Sequence, residues 1–453
     1  LATEVARIDV ARRAKKTATS QEPVTTTIEG LTHDGRGVAR VEGKAVFIDH
    51  TLPGERVTFV YTAQRRDFAE GRLLEVLDAS PNRVTPRCPH YTLCGGCSLQ
   101  HVADTAQITL KAQLLREQLL RIGKITPPEL SPPLTGPHWG YRYKARLGVK
   151  YVAAKGKVLV GFRERRHRYL AELSRCEILH PAVGERLQAL AELLGSLSIR
   201  EHIPQIEVAA GDTAVALIVR VLAPPTDPDR HQLGAFAREH GFILYLQPGG
   251  IDSITPLEPP NPPPLYYQLP AHAVRFEFRP GVFTQVNPVL NRTMIDRVLA
   301  VLNPQPDEEI LDLFCGLGNF TLPIARHAAH VTGIEGETSL VALAQHNARL
   351  NDIRNVEFHC ADLSQPVTGQ TWAQRGYHKI LLDPSRAGAA EVLSAFSQWQ
   401  PQTIVYVSCN PSTLARDAGI LVQQSGYQLV GAGVMDMFPQ TAHAEAIAWF
   451  ERA

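Results

Sequence analysis

The sequence predicts an α/β protein in three parts: a small β-barrel, a mixed α+β region and a doubly wound α/β domain. Three observations lead there. After Gly281 apolar strand-length runs alternate with helical runs, the pattern of a parallel sheet covered on both faces. From Val24 to Leu77 short β-rich runs (Thr25 to Ile28, Val46 to Ile48, Val57 to Tyr61, Leu73 to Leu77) are separated by Gly, Asp and Pro turns, which suits a barrel. Proline clusters at Pro127-Pro128, Pro132-Pro133, Pro224-Pro225 and Pro259 to Pro264 read as surface connections. The boundaries expected from these signals are an arm at 1–23, the barrel at 24–80, a central region at 81–280 and the doubly wound domain at 281–453.

The arm carries Arg7, Arg12, Arg13, Lys15 and Lys16 with little apolar content and is expected to be a mobile basic tail. The barrel stretch Gly35 to Val41 through Leu52 to Glu55 resembles a TRAM domain, an OB-like RNA-binding barrel. Asp104 to Ile122 reads as a helix: Asp104 is the expected cap, Ile108, Leu115, Leu119 and Ile122 recur at helical spacing, and Gly123 supplies the stop. This helix is placed with the central region, and packing on the last domain is one option for its apolar face. Farther on, Leu187 to Leu194 reads as a helix and Ala214 to Val221 as a strand.

Composition excludes several classes. With 453 residues, 44% hydrophobic and 20% charged, the chain is neither globally disordered nor a disulfide-stapled mini-protein. No apolar run approaches the ~18 residues that span a bilayer, and the first residues lack the apolar core of a signal peptide. A cytoplasmic location is expected; Leu rather than Met opens the chain.

A formal charge of +1 conceals an asymmetry. Between His138 and Arg175 eleven basic residues face only Glu164 and Glu172, a local +9, so the remainder sums to −8. Such a block reads as a phosphate footprint. The aromatic residues interleaved with it, Trp139, Tyr141, Tyr143, Tyr151, Phe162 and Tyr169, suit either stacking on unpaired bases or, for most of them, ordinary strand packing.

Cys88, Cys94 and Cys97 form C-x5-C-G-G-C, and Cys176 stands at the end of the basic block. Four thiolates hold either tetrahedral zinc or an iron–sulfur cluster. The three-plus-one arrangement, with Gly95-Gly96 permitting close backbone approach, favours an iron–sulfur cluster in a structural role.

In the last domain, Ile310 to Phe320 is a strand running into a glycine turn and then a helix. Glycines there let the backbone approach a nucleotide, and Glu335, at the end of the next strand, is placed for ribose hydroxyls. Thr321 stands where a dinucleotide fingerprint carries its third glycine, so D-x-F-x-G-x-G followed by an acid fits S-adenosylmethionine better than NAD. Two further strands end in Asp383-Pro384-Ser385-Arg386 and Ser408-Cys409-Asn410-Pro411. Ligands of open α/β sheets bind beyond the carboxyl ends of strands, so both motifs should face the glycine turn. Cys409 is positioned there as a nucleophile. Cys315 and Cys360 read as packing residues.

Phe283-Thr284-Gln285-Val286-Asn287, Asp312 to Phe320, Asp383 to Arg386, Ser408 to Pro411 and His443-Ala444-Glu445, together with the TRAM-like barrel and the four cysteines, resemble the RNA 5-methyluridine methyltransferases. The likeness runs from about Val24 to Phe450 and is strongest to the branch that methylates a uridine of 23S ribosomal RNA. It implies a Rossmann-like class I methyltransferase domain, an N-terminal TRAM barrel and an α+β central iron–sulfur domain. It further implies Cys409 as the nucleophile that adds to C6 of the uracil, Glu445 as the base that removes the C5 proton, and Asp383 in contact with both cofactor and base. S-adenosylmethionine contacts are implied for Gln285, Phe314, Asn319, Glu335, Asp362 and Asp383. A 4Fe-4S cluster is implied on Cys88, Cys94, Cys97 and Cys176, and Phe283 is available to stack on a uracil. The expected partner is a loop or flipped-out uridine of ribosomal RNA, with the protein a monomer. The alternatives are a transfer-RNA or dual-site ribosomal uridine methyltransferase, a non-catalytic RNA-binding iron–sulfur protein, and a nicotinamide dehydrogenase.

Overall fold

The computed structural model describes residues 22–453, so all but the end of the expected basic arm lies outside the described residues. The chain forms two compact units, one ending at Arg83 and the other running from Val84 to Ala453.

In the first unit β1 (Val24–Thr27), β2 (Gly30–Leu31), β3 (Gly37–Val41), β4 (Lys44–Ile48), β5 (Arg56–Gln64) and β6 (Phe68–Asp78) form one sheet in the order β1-β5-β6-β4-β3-β2. Its two edge strands are neighbours in the chain, so the sheet has to curl back on itself. Hydrogen bonds from Ile28 N–H to the Glu55 carbonyl (2.9 Å) and from Glu29 N–H to the Val38 carbonyl (2.7 Å) fill the seam. The inward positions of the alternating pattern, among them Ile28, Val46, Ile48, Val57 and Phe59, make the core. Gly71 lies flat against Phe59, where an added Cβ would come within 2.5 Å of the ring.

The second unit opens with the helix Asp104–Arg121, followed by a mixed sheet. Strands β7 (Lys144–Val152), β8 (Lys157–Gly161), β9 (Gln205–Ala210), β10 (Val215–Arg220), β11 (Phe242–Gln247) and β12 (Thr255–Glu258) take the order β12-β11-β10-β9-β7-β8. Only β10 and β11 run parallel, and the helix Asp227–His240 makes their crossover. That helix and Leu187–Ser196 cover one face, over Leu147, Ile206, Leu217 and Leu244. The hairpin β13 (Leu265–Leu269) and β14 (Val274–Phe278) and the helix Pro288–Leu302 pack against the other face. Their core runs without a break from Ala209 and Ile218 to Ile310 and Val405 of the last sheet.

That last sheet contains β15 (Glu309–Leu313), β16 (His330–Glu335), β17 (Val356–Cys360), β18 (Lys379–Leu382), β19 (Thr403–Ser408), β20 (Tyr427–Met435) and β21 (Glu445–Arg452) in the order β17-β16-β15-β18-β19-β21-β20. The first five are parallel and β21 runs against both its neighbours. Strands covered on both faces are almost wholly apolar, as Ile310, Leu311, Ile380, Leu382, Ile404 and Val405 show. The strand order reverses between β15 and β18, which makes their carboxyl ends the place for a ligand.

The helix Asp104–Arg121 buries Leu115 and Leu119 against Leu414, Ala415 and Ala418 of the helix Pro411–Gln424. One expectation about its ends needs correction. Ala103, not Asp104, is the cap residue, and no side chain caps the first turn. Asp104 instead sits inside the helix and accepts from the Gln440 amide at 2.9 Å, a tertiary bond that outweighs the local one. The helix stops at Arg121, and Gly123 is required by packing: a Cβ there would come within 2.6 Å of the Ala415 carbonyl oxygen.

Candidate active site at the carboxyl ends of the parallel strands

At the end of β15 the chain enters Phe314 with φ +66° and turns through Gly316 (φ +57°) and Gly318 (φ +91°). Phe314 is held in a region that bulky residues rarely adopt. A Cβ on Gly316 would meet nothing within 4 Å, so the space beside the turn is open. Glu335, ending β16, accepts from Gly316 N–H at 3.0 Å and Glu337 N–H at 3.1 Å, which fixes the acid beside the turn. Asn319 exchanges two amide hydrogen bonds with Asn291, both 3.0 Å, and accepts a third from the Tyr267 hydroxyl at 2.7 Å. Gln285 is partly buried and lines a small cavity with Tyr267 and Asn291. Asp362 is exposed two residues beyond β17, where Ser364 donates from its N–H (2.9 Å) and hydroxyl (2.7 Å) and holds the carboxyl below its usual range.

Beneath the turn, Asp312 is fully buried and accepts from the Thr321 hydroxyl at 2.5 Å. Its other oxygen, Oδ1, has no hydrogen-bond partner. Burial, with help from nearby Asp383, pushes this carboxyl up to about 7.

The reactive groups converge on neighbouring strands. Asp383 follows β18 and Cys409 follows β19 directly. Because Ser408 pairs with Ala446 in the antiparallel β19–β21 ladder, the next position sets Cys409 opposite Glu445. Residues directly opposite in such a ladder stand ~4.5–5.5 Å apart at Cβ. Burial, then Glu445 and Asp383, push the Cys409 thiol up, while Arg386 pulls it down. Burial and Glu445 push Asp383 up to about 8. Burial pushes Glu445 up to about 7, against the pull of Lys111 and Arg386. The two motifs are tied together: Asn410 caps the helix Pro411–Gln424 through Ser412 N–H (3.1 Å) and donates to the Arg386 carbonyl (3.1 Å). A thiol opposed by a carboxyl that titrates near neutrality is a pair able to add to an electron-poor carbon and then to take a proton.

The chain matches the family model described as tRNA (Uracil-5-)-methyltransferase over residues 267–453 and that of the TRAM domain over residues 22–74. Among curated proteins it is 56% identical to the 23S rRNA (uracil(1939)-C(5))-methyltransferase RlmD of Methylococcus capsulatus, over 97% of this chain and 99% of that one. The chain belongs to the RNA 5-methyluridine methyltransferase family, in its RlmD-type branch. RlmD proteins of Alcanivorax borkumensis (51% identity, 98% and 99% covered) and Alkalilimnicola ehrlichii (50%, 95% and 97%) agree. Among solved structures, the Pyrococcus abyssi tRNA (uracil-54, C5)-methyltransferase in complex with S-adenosyl-L-homocysteine shares the fold, with a TM-score of 0.73 at 21% identity. That superposition covers 94% of this chain and 100% of the archaeal one.

In this family member Cys88, Cys94, Cys97 and Cys176 are all free and line one cavity, with Tyr91 and Ile178 beside them. Burial pushes Cys97 up to about 12 and Cys176 up to about 11. Among the described residues no three Cys, His, Asp or Glu side chains converge closely enough to hold a single metal ion.

The basic block of the methyltransferase is less bare than its count suggests. Lys144 and Arg146 pair with Glu207 (2.7 and 3.2 Å), Lys155 and Lys157 with Glu172, and Arg175 with Glu177 (2.9 Å). Lys150, Arg163 and Arg168 line an open cleft beside Tyr169, which is 58% exposed. The other aromatics are taken up in packing: Tyr141 is buried, Tyr143 meets His180 edge-on, and Trp139, Tyr151 and Phe162 lie under Arg87, Arg200 and Arg142. One cysteine reading is corrected: Cys315 is core, but Cys360 is exposed at the end of β17, with its thiol on the Gly336 carbonyl at 3.5 Å.

Tyr267, Asn291 and Lys111 are site neighbours that the sequence pattern did not single out. Only Lys111 left a signal: it stands three residues after Ile108 and four before Leu115, on the apolar stripe of its helix.

Proposed function

We propose that the protein methylates C5 of one uridine in 23S ribosomal RNA, at the position for which its RlmD relatives are named, uracil 1939. The observation that carries the reading is the ladder register that sets Cys409 opposite Glu445, with Asp383 at the adjoining strand end.

Uracil C5 is a weak nucleophile. Addition of the Cys409 thiolate at C6 places electron density on C5. S-adenosylmethionine, when bound, supplies an electrophilic methyl group. Once C5 carries the methyl, Glu445 takes the C5 proton, the C5=C6 bond re-forms and the thiolate leaves. Asp383, whose carboxyl is held protonated toward neutrality, is suited to donate to the uracil and to contact the cofactor. The open space beside Gly316, the orphaned Asp312 oxygen and the acid at the end of β16 fit an adenosylmethionine nucleoside and amino acid. Gln285, Phe314, Asn319, Glu335 and Asp362 are the further residues assigned to it. Phe283, 65% exposed on the segment before helix Pro288–Leu302, is the aromatic offered to an unstacked base.

The four cavity cysteines are assigned to a 4Fe-4S cluster. Their donor set is soft thiolate, and all four are free and line one cavity. Iron and acid-labile sulfide should co-purify anaerobically in equal amounts and be lost in Cys97→Ser. A cytoplasmic location, with the ribosomal RNA, accompanies the reading, and no described helix is long and apolar enough to cross a membrane.

The test is methyl transfer from labelled S-adenosylmethionine to separate transcripts of 23S rRNA and transfer RNA. Product on the ribosomal fragment, abolished when uridine 1939 is replaced, is expected; product on transfer RNA alone contradicts the assignment.

A further inference from the structure

The segment between β20 and β21, which delivers Glu445, is held by side chains that do not belong to the catalytic sheet. Lys111, on the helix Asp104–Arg121, is 2% exposed and donates to Asp436 at 2.6 Å and to the Phe438 carbonyl at 3.0 Å. One turn earlier, Gln107 accepts from Gln440 N–H at 2.9 Å and donates to the Gln440 side-chain oxygen at 3.1 Å. Tyr141 donates to the Pro439 carbonyl at 2.9 Å, and Ser98 accepts from Ala442 N–H at 2.8 Å. Asp436, Phe438, Pro439, Gln440 and Ala442 are thus all pinned from outside the sheet.

A buried ion pair is weak evidence for stability, because desolvating both charges cancels most of their attraction. This one stands beside a base, and the Lys111 charge acts on Glu445 as well as on its own partner. The groups facing Glu445 are Asp383 and Arg386 from the turn after β18, Cys409 after β19, and Lys111.

We propose that Lys111 is a positioning residue for the base: by holding Asp436 and the Phe438 carbonyl it sets the Glu445 carboxylate against the C5 proton, and so governs release of the Cys409 adduct. The inference rests on the reaction proposed above. In the step concerned, Glu445 receives the proton, the C–H electron pair becomes the C5=C6 bond, and the C6–S pair leaves with the Cys409 sulfur.

Three variants test it on the 23S fragment: Lys111→Met, the pair replacement Lys111→Met with Asp436→Leu, and Lys111→Arg. The pair replacement removes the unpaired Asp436 that would otherwise burden the fold. Rapid quenching measures methyl incorporated in one turnover, and a denaturing gel measures the protein–RNA adduct. The two methionine variants should incorporate methyl within about twofold of the parent, while adduct release slows on the order of tenfold to a hundredfold. The rise of the release rate with pH should move to higher pH, and Lys111→Arg should restore most of the loss. A pair replacement that releases RNA like the parent, that slows methyl transfer and release equally, or that fails to fold overturns the proposal. A parent enzyme that leaves uridine unmethylated overturns the earlier reading instead.

Discussion

Thr321 donates its hydroxyl to the buried carboxylate of Asp312 at 2.5 Å, across the glycine turn that separates them. The bond occupies the place where a dinucleotide fingerprint carries its third glycine. The same substitution that disfavours NAD therefore has a positive use, as the donor that lets a carboxyl sit at the end of β15 with its other oxygen free.

That carboxyl is a liability at high pH. Asp312 is pushed up to about 7, above the carboxylate range of the unfolded chain. Folded protein thus binds more protons than unfolded protein between about pH 4 and 7, and stability falls as pH rises through that window. Asp312→Asn should make the fall shallower, by roughly 1–3 kcal/mol between pH 5 and 8. Urea denaturation at a series of pH values measures it; an unchanged slope contradicts the assignment.

Gly123 presses on the Ala415 carbonyl, and a Cβ would lie 2.6 Å from that oxygen. Gly123→Ala should therefore destabilise the protein by about 1–3 kcal/mol by prising the helix Asp104–Arg121 from the helix Pro411–Gln424. Thermal unfolding reads the loss. Gly43, which has nothing within 4 Å of its added Cβ but a φ of +81°, is the control for backbone strain without a clash.

Glu445 must be ionised to accept a proton, and burial pushes it up to about 7. The rate of product release should accordingly rise with pH and level off above about 7. Glu445→Gln should abolish that rise, lower turnover by about 10²–10⁴-fold and leave methylated RNA attached to the protein. A full-rate Glu445→Gln enzyme would remove Glu445 from the mechanism.

Much of this site was legible because strand ends in a parallel sheet announce themselves. Asp383, Cys409 and the turn at Gly316 each follow an apolar run, and the sheet brings them to one edge. Glu445 was harder: on periodicity alone a carboxylate near the chain end is a surface residue, whereas it is buried, and extending the β19–β21 register one position past Ser408 and Ala446 brings it opposite Cys409. Lys111 and Asp436 lie 325 positions apart, and no local pattern reports a contact of that separation. The charge count of His138 to Arg175 overstated the free basic surface because Glu207 and Glu177, outside the window, neutralise part of it. The cap expected at Asp104 failed for the same reason, since Gln440 competes for its carboxylate from far along the chain.

The central claim is that Cys409 bonds to C6 of the target uridine. The most direct measurement uses a 23S fragment with 5-fluorouridine at the target position, where the C5 substituent cannot leave as a proton. With S-adenosylmethionine present, the account predicts a denaturation-stable protein–RNA conjugate that maps by mass spectrometry to Cys409 and is absent in Cys409→Ala. A Cys409→Ala enzyme that still methylates C5, or a conjugate that maps to another residue, would contradict it.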